Sequence, residues 1–109
     1  MKYRVVVFGV KDTTAQIVSY IQEKLCPVDL VVTIHSDVLA GNQVSGYQGL
    51  GYLTEKYGIP VFETHSYGLK DEETSRFFEE NEFEIGISMG WQRLIPQAVL
   101  DRFEQGVFG

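Results

Sequence analysis

The sequence predicts an α/β protein built on a doubly wound, mostly parallel sheet with helices on both faces, three layers in all. Three observations carry this reading: four short apolar runs rich in β-branched residues, helical spacing of apolar residues between them, and turn residues at the junctions. A parallel sheet is covered on both faces, so its strands read as continuous apolar runs rather than as alternating ones.

Val5-Val6-Val7-Phe8 is the first such run and predicts a central strand that Gly9 ends. Asp12, Thr13 and Thr14 offer N-cap oxygens for a helix with Ile17, Val18, Ile21 and Leu25 on its inner face, ended by Pro27. Leu30 to Ile34 repeats the strand signature, and strand-helix-strand with short connections predicts a right-handed βαβ unit. Ser36 to Tyr47 lacks periodicity and carries Gly41, Asn42, Ser45 and Gly46, so it reads as a long loop. Leu50, Leu53 and Tyr57 space a short helix that stops at Gly58. A third strand follows over Ile59 to Phe62, with Pro60 suited only to its opening. A loop through His65, Ser66 and Tyr67 leads to a helix from Asp71 to Glu80, acidic where the helix dipole favours acids, with Phe77 and Phe78 toward the sheet. Ile85 to Met89 reads as the fourth strand. Pro96 suits the first turn of a last short helix bearing Val99, Leu100 and Phe103, which Gly106 closes, and Val107-Phe108 opens a fifth strand.

A chain of 109 residues, 44% hydrophobic and 13% aromatic, supplies one packed core rather than two. Its net charge is −6, from 15 acidic and 9 basic residues, with seven of the acids between Asp71 and Glu84. Nucleic-acid binding draws on Lys and Arg neutralising phosphates, so this balance counts against it and favours a small-molecule ligand. The single Cys26 forbids an internal disulfide, fits a reducing compartment and is expected to be buried or half-buried. The apolar run before Gly9 is too short for a signal peptide, and no segment approaches the roughly 18 apolar residues of a membrane span. The expected location is cytoplasmic, without a membrane partner.

Ligands of open parallel sheets collect at the carboxyl ends of the strands, which selects Gly9 to Thr13, His35 to Tyr47, Glu63 to Leu69 and Gly90 to Pro96. Val10, Lys11, Asp12 and Thr13 follow a single glycine, without a G-x-G-x-x-G or P-loop pattern. They read either as an anion-holding helix start or as a plain turn. Asn42, Ser45 and Tyr47 present an amide, a hydroxyl and a ring to a polar substrate, or belong to a solvated connection. His35, His65, Cys26, Asp37 and Glu63 match no metal-ligand spacing, so no metal is expected, and Ser45, Ser66 and Ser88 lack a nucleophile-elbow setting. The stretch Met89-Gly90-Trp91-Gln92-Arg93-Leu94-Ile95-Pro96 is the most informative. It follows a buried strand directly, yet sets Trp, Leu and Ile in a loop at the sheet's active edge. Such side chains need a cover, and either a flat heterocycle or the core itself provides one.

That stretch, with Val99-Leu100 and Gly106-Val107-Phe108-Gly109, resembles the formyltransferase N-terminal domain family, which includes glycinamide ribonucleotide, methionyl-tRNA and amino-sugar formyltransferases. The opening strand, the element order and the region from Ser45-Gly46-Tyr47 to Tyr57 agree with it as well. The resemblance implies a Rossmann-like domain that takes formyltetrahydrofolate as co-substrate and passes its formyl group to a primary amine. It implies that Met89, Gly90, Trp91, Gln92, Arg93, Leu94 and Ile95 line the pterin pocket, largely through main-chain groups. Val10, Lys11, Asp12, Thr13, Asn42, Ser45 and Tyr47 are then the residues assigned to the amine substrate.

The family's catalytic set is an Asn, a His two residues later and an Asp further on. Gly109 stands where the Asn is expected, and the other two positions lie past it. The resemblance therefore carries no catalytic residue onto these 109 residues. It implies an N-terminal portion of a formyltransferase, inactive by itself and able to self-associate through exposed sheet surface. The acidic balance favours an amino-sugar nucleotide over methionyl-tRNA as acceptor. The competing expectation is a Rossmann-like ligand-binding or protein-interaction module without catalysis.

Overall fold

In the computed structural model, which describes residues 2–9, 12–34, 52–65, 68–88, 91 and 95–108, the apolar runs pair into one sheet. Its strands are β1 (Lys2–Phe8), β2 (Leu30–Ile34), β3 (Val61–Thr64), β4 (Glu82–Ser88) and β5 (Val107–Phe108). All four pairings are parallel, in the order β3-β2-β1-β4-β5. The most continuous apolar run occupies the middle of the sheet, where Val6, Val7 and Phe8 are fully buried.

Four described helices complete the fold: α1 (Asp12–Lys24), α2 (Tyr52–Tyr57), α3 (Glu72–Glu80) and α4 (Gln97–Leu100). Val7 and Val31 turn to one face of the sheet, against Ala15, Val18 and Ile21 of α1, with Tyr57 of α2 packed alongside. Val6, Phe8, Leu30 and Val32 turn to the other face, against Phe78 of α3 and Val99 of α4. The chain is a three-layer, Rossmann-like doubly wound α/β domain, as its sequence predicts.

Several boundaries differ from the sequence reading, each for a local reason. The third strand is Val61–Thr64, two residues later than expected. Gly58, at φ 72°, turns the chain out of α2, and buried Ile59 fills the α1-side core. Pro60 has no N–H to give a ladder and contributes only its carbonyl, which accepts from Val31 N at 3.0 Å. Strands β1 and β4 begin earlier than their apolar runs: Lys2 and Tyr3 pair with Glu82 and Phe83 in the sheet, and Arg4 Nε donates to Glu84 Oε2 at 3.2 Å.

Helix α1 opens at Asp12, so Asp12 and Thr13 belong to its first turn rather than preceding it. Thr14 is likewise in that turn and fully buried. At the other end the helix stops at Lys24, and the amides of Leu25 and Cys26 both reach back to Ile21 O, at 3.0 and 2.9 Å. This tight turn carries Leu25 off the inner stripe, leaving it 69% exposed, while Val28 closes the core in its place. Cys26, expected to be buried or half-buried, lies exposed on the same turn.

Asp29 supports the central strand from the side. Its Oδ2 accepts from two successive amides, Arg4 N and Val5 N, each at 3.0 Å. Successive amides of a regular strand point in opposite directions, so β1 departs from strict alternation here. The same step appears in packing, where Tyr3 joins the α3 side although Val5 joins the α1 side. Arg102 does comparable work at the end of α3, donating to Phe78 O at 2.7 Å and Asn81 O at 2.7 Å. Those are carbonyls that the helix itself leaves unsatisfied.

Candidate functional site

The strand order fixes where a ligand can enter. From β1 the chain winds outward through β2 to β3, then crosses back and continues through β4 to β5. The direction reverses between β1 and β4. Connections leave the two strands toward opposite faces there, which opens a crevice at their carboxyl ends. Its floor is the pair Phe8 and Ser88, which are in register. Buried Gly9 continues from Phe8, and its amide donates to Val32 O at 3.1 Å, fastening the end of β1 to β2.

Trp91 lies past the end of β4, half-buried, with its ring 6.0 Å from Phe8 at an interplanar angle of 80°. Ile95 is half-buried against the same cluster. Of the seven residues assigned to the pterin pocket, Trp91 is thus brought to the end of β1, and both Trp91 and Ile95 pack half-buried against the core. The other five, Met89, Gly90, Gln92, Arg93 and Leu94, lie outside the described residues. On the substrate side, Asp12 and Thr13 open α1 directly after the β1 end. Val10, Lys11, Asn42, Ser45 and Tyr47 lie outside the described residues, as does Gly109.

Thr33, which the sequence reading passed over, stands beside this region. By its register it is level with Gly9, and by strand alternation it shares the α1 side with Val31. It is buried, and its hydroxyl has no hydrogen-bond partner among the described residues. The visible signal was one polar residue inside an otherwise apolar strand.

The third carboxyl-end segment, Glu63 to Leu69, leads into a closed structural clip. Thr64 Oγ1 and Thr74 Oγ1 lie 2.6 Å apart in the interior, and Thr64 Oγ1 also donates to Asp71 Oδ1 at 3.1 Å. Asp71 caps α3 by accepting from Thr74 N at 3.2 Å. Desolvation pushes the Asp71 pKa up, but the hydrogen bonds from Thr74 and Thr64 outweigh it and hold the carboxyl below its ordinary 3.8. Leu69, buried and at φ 58°, completes the turn. His65, a candidate by sequence, is exposed at the start of this segment. No three His, Cys, Asp or Glu residues come together as a metal site among the described residues.

Further clefts lie elsewhere among the described residues. One of about 370 Å³ opens at the amino ends of the strands, between Cys26-Pro27 and the Arg4, Glu84 and Ile85 region, on the side remote from the crevice. One of about 220 Å³ separates α3 from α4, lined by Leu69, Phe78, Pro96 and Val99 among others. The first includes none of the residues assigned to folate or amine, and the second touches only the last residues, Leu69 and Pro96, of two of the carboxyl-end segments.

The class defined by this fold is a Rossmann-like α/β domain, with a topological switch between β1 and β4. No family model matches the sequence, and no curated protein matches it. No helix among the described residues is long and apolar enough to cross a membrane.

Proposed function

We propose that this chain is the N-terminal portion of a folate-dependent formyltransferase, which takes the formyl group of formyltetrahydrofolate to a primary amine, with an amino-sugar nucleotide as the favoured acceptor. The observation that carries the reading is the placement of Trp91 and Ile95. Trp91 meets Phe8 at the carboxyl end of β1, beside the switch crevice, and both Trp91 and Ile95 pack their apolar side chains half-buried against the core. At Trp91 and Ile95, main-chain groups are then what is left to offer a ligand, which accords with the mode of pterin binding that the resemblance implies.

Bound folate supplies an activated formyl carbon. The chain's share is to hold the flat ring against main-chain donors and acceptors and to keep water from one face of it. The start of α1 lies on the β1 side of the same crevice, and the amine substrate is assigned there. No catalytic Asn, His and Asp set is carried onto these residues, so binding without turnover is the expected behaviour. The reading includes a cytoplasmic location and self-association through β4–β5, where Phe108 is 56% exposed. A strictly monomeric sedimentation profile at high concentration contradicts the last point.

The test is to incubate the 109-residue protein with formyltetrahydrofolate and an amino-sugar nucleotide, following both binding heat and formylated product. Weak saturable binding without product is expected. Absence of saturable binding overturns the folate reading, and product formation overturns the assignment of catalysis to residues outside this sequence.

A further inference from the structure

We propose that the cleft at the amino ends of β1 and β4 is a binding site for a small organic cation, a primary ammonium carried on an apolar body, separate from the switch crevice. The cleft encloses about 370 Å³, within the range of small-molecule sites. Val5, Pro27 and Ile85 form its apolar lining, and Arg4, Asp29 and Glu84 its charged lining. The exposed Cys26 borders it as well.

Both strands open this space by the same irregularity. In β1, Tyr3 packs on the α3 side and Val5 on the α1 side, although strict alternation would set them on one face. In β4, Phe83 packs on the α3 side, and Gly86 turns to that side too, since a Cβ on it would meet Phe103 and Val107. Phe83 and Gly86 stand three residues apart, so alternation breaks between them as well. The ladder joins Tyr3 to Phe83 and Val5 to Ile85, which sets the two breaks side by side at Arg4 and Glu84. Two successive residues of each strand, Arg4-Val5 and Glu84-Ile85, therefore border one cleft. Such bulge-like steps re-aim side chains, here placing charged and apolar groups together.

Charge decides which ligand this lining suits. Arg4 Nε donates to Glu84 Oε2 at 3.2 Å, and the two charges offset each other. Asp29 has no cationic partner among the described residues. Its Oδ2 accepts from the amides of Arg4 and Val5, and its Oδ1 takes part in no hydrogen bond there. The cleft thus holds one uncompensated carboxylate beside apolar surface, in a chain whose net charge is −6. An anion is repelled from it, and a neutral apolar molecule would cover Asp29 without answering its charge. An ammonium supplies both the charge and the donors that Asp29 Oδ1 can accept, and its apolar body matches Val5, Pro27 and Ile85. The Arg4 side chain, 74% exposed, is the cation such a ligand competes with.

The test is a titration of the 109-residue protein with phenethylammonium and, separately, with 3-phenylpropionate, which carries the same ring and linker on a carboxylate. Amide chemical shifts locate each ligand. Cys26 is the one cysteine, so the rate of its alkylation by iodoacetamide reports cover of the cleft's rim. Phenethylammonium is expected to give saturable shifts at Arg4, Val5, Asp29 and Ile85 and to slow alkylation, and 3-phenylpropionate to do neither. Equal effects of the two ligands, or no saturable shifts with the ammonium, overturn the proposal.

Asp29→Asn keeps an acceptor for the two amides and removes the charge. It is expected to weaken phenethylammonium binding about fivefold to tenfold, the difference between a charge-assisted and a neutral hydrogen bond. Arg4→Gln removes the competing cation from an exposed position and is expected to tighten binding about twofold to fivefold. Unaltered affinity in Asp29→Asn, or weakened binding in Arg4→Gln, contradicts the assignment, and Arg4→Gln decides alone where Asp29→Asn does not fold. The cation site is independent of the formyltransferase reading, and 5-formyltetrahydrofolate, an anion, is not expected to occupy it.

Discussion

The two faces of the sheet are packed in different ways. The α1 face is aliphatic: Val7, Val18, Ile21, Val28, Val31 and Ile59 form its buried cluster with Ala15. The α3 face is aromatic, with Phe8, Phe78, Phe83 and Phe103 buried and Tyr3, Phe62, Phe77 and Trp91 packed around them. Branched aliphatic residues suit a helix lying close on a strand surface. Rings reach further, and on the second face they connect elements that do not touch through their backbones. Trp91 and Ile95, the described residues of the segment proposed to bind folate, pack against this second face.

Truncations should separate the two faces most clearly. Phe83 is fully buried and lies 5.0 to 5.6 Å from the rings of Phe103, Phe78 and Tyr3. Phe83→Ala is expected to cost about 3–5 kcal/mol in urea unfolding. Val31→Ala, equally buried on the aliphatic face, removes two methyl groups and is expected to cost about 1.5–2 kcal/mol. Area alone already makes the Phe83 loss the larger, so equal losses would contradict a closely packed aromatic face.

Gly86 tests how tightly the aromatic face is closed over β4. A Cβ there would stand 2.9 Å from Val107 Cγ2 and 3.1 Å from the Phe103 ring. Gly86→Ala is expected to destabilise by about 1–3 kcal/mol through overpacking and to loosen β5 in hydrogen exchange. A neutral substitution would show that β5 yields freely.

The smallest expected effect concerns the clip at the start of α3. Asp71→Ala removes an N-cap and should cost about 0.5–2 kcal/mol at neutral pH. Because the folded-state pKa of Asp71 lies below its ordinary 3.8, this contribution is present above that value. It is lost as pH falls through the depressed folded value. The stability gap between the unaltered protein and Asp71→Ala should therefore hold from neutral pH down to the ordinary carboxylate range and narrow in stronger acid. Asp71→Asn should keep most of the cap and lose the pH dependence.

The sequence made most of this architecture legible because a buried parallel strand announces itself in a run of apolar residues. Leu30 to Ile34 is recovered residue for residue. The polar ends of β1 and β4 escaped, because Lys2 and Glu82 pair by backbone and Arg4 and Glu84 by a side-chain ion pair, neither of which an apolar run reveals. Leu25 misled because helical spacing continues past the point where the turn to Cys26 breaks the helix. At the candidate site, strand order places the crevice, and Trp91 and Ile95 were singled out by apolar character in a loop. Local spacing could not show that Phe8 meets Trp91, since that contact joins two distant parts of the chain through the sheet register.

The most direct test of the central claim is an amide chemical-shift titration of the 109-residue protein with 5-formyltetrahydrofolate. Weak, saturable shifts concentrated from Met89 to Ile95 and at Gly9, on the two sides of the β1–β4 crevice, are the expected result. Shifts confined to the Arg4, Cys26 and Glu84 cleft, or none at all, would contradict the account.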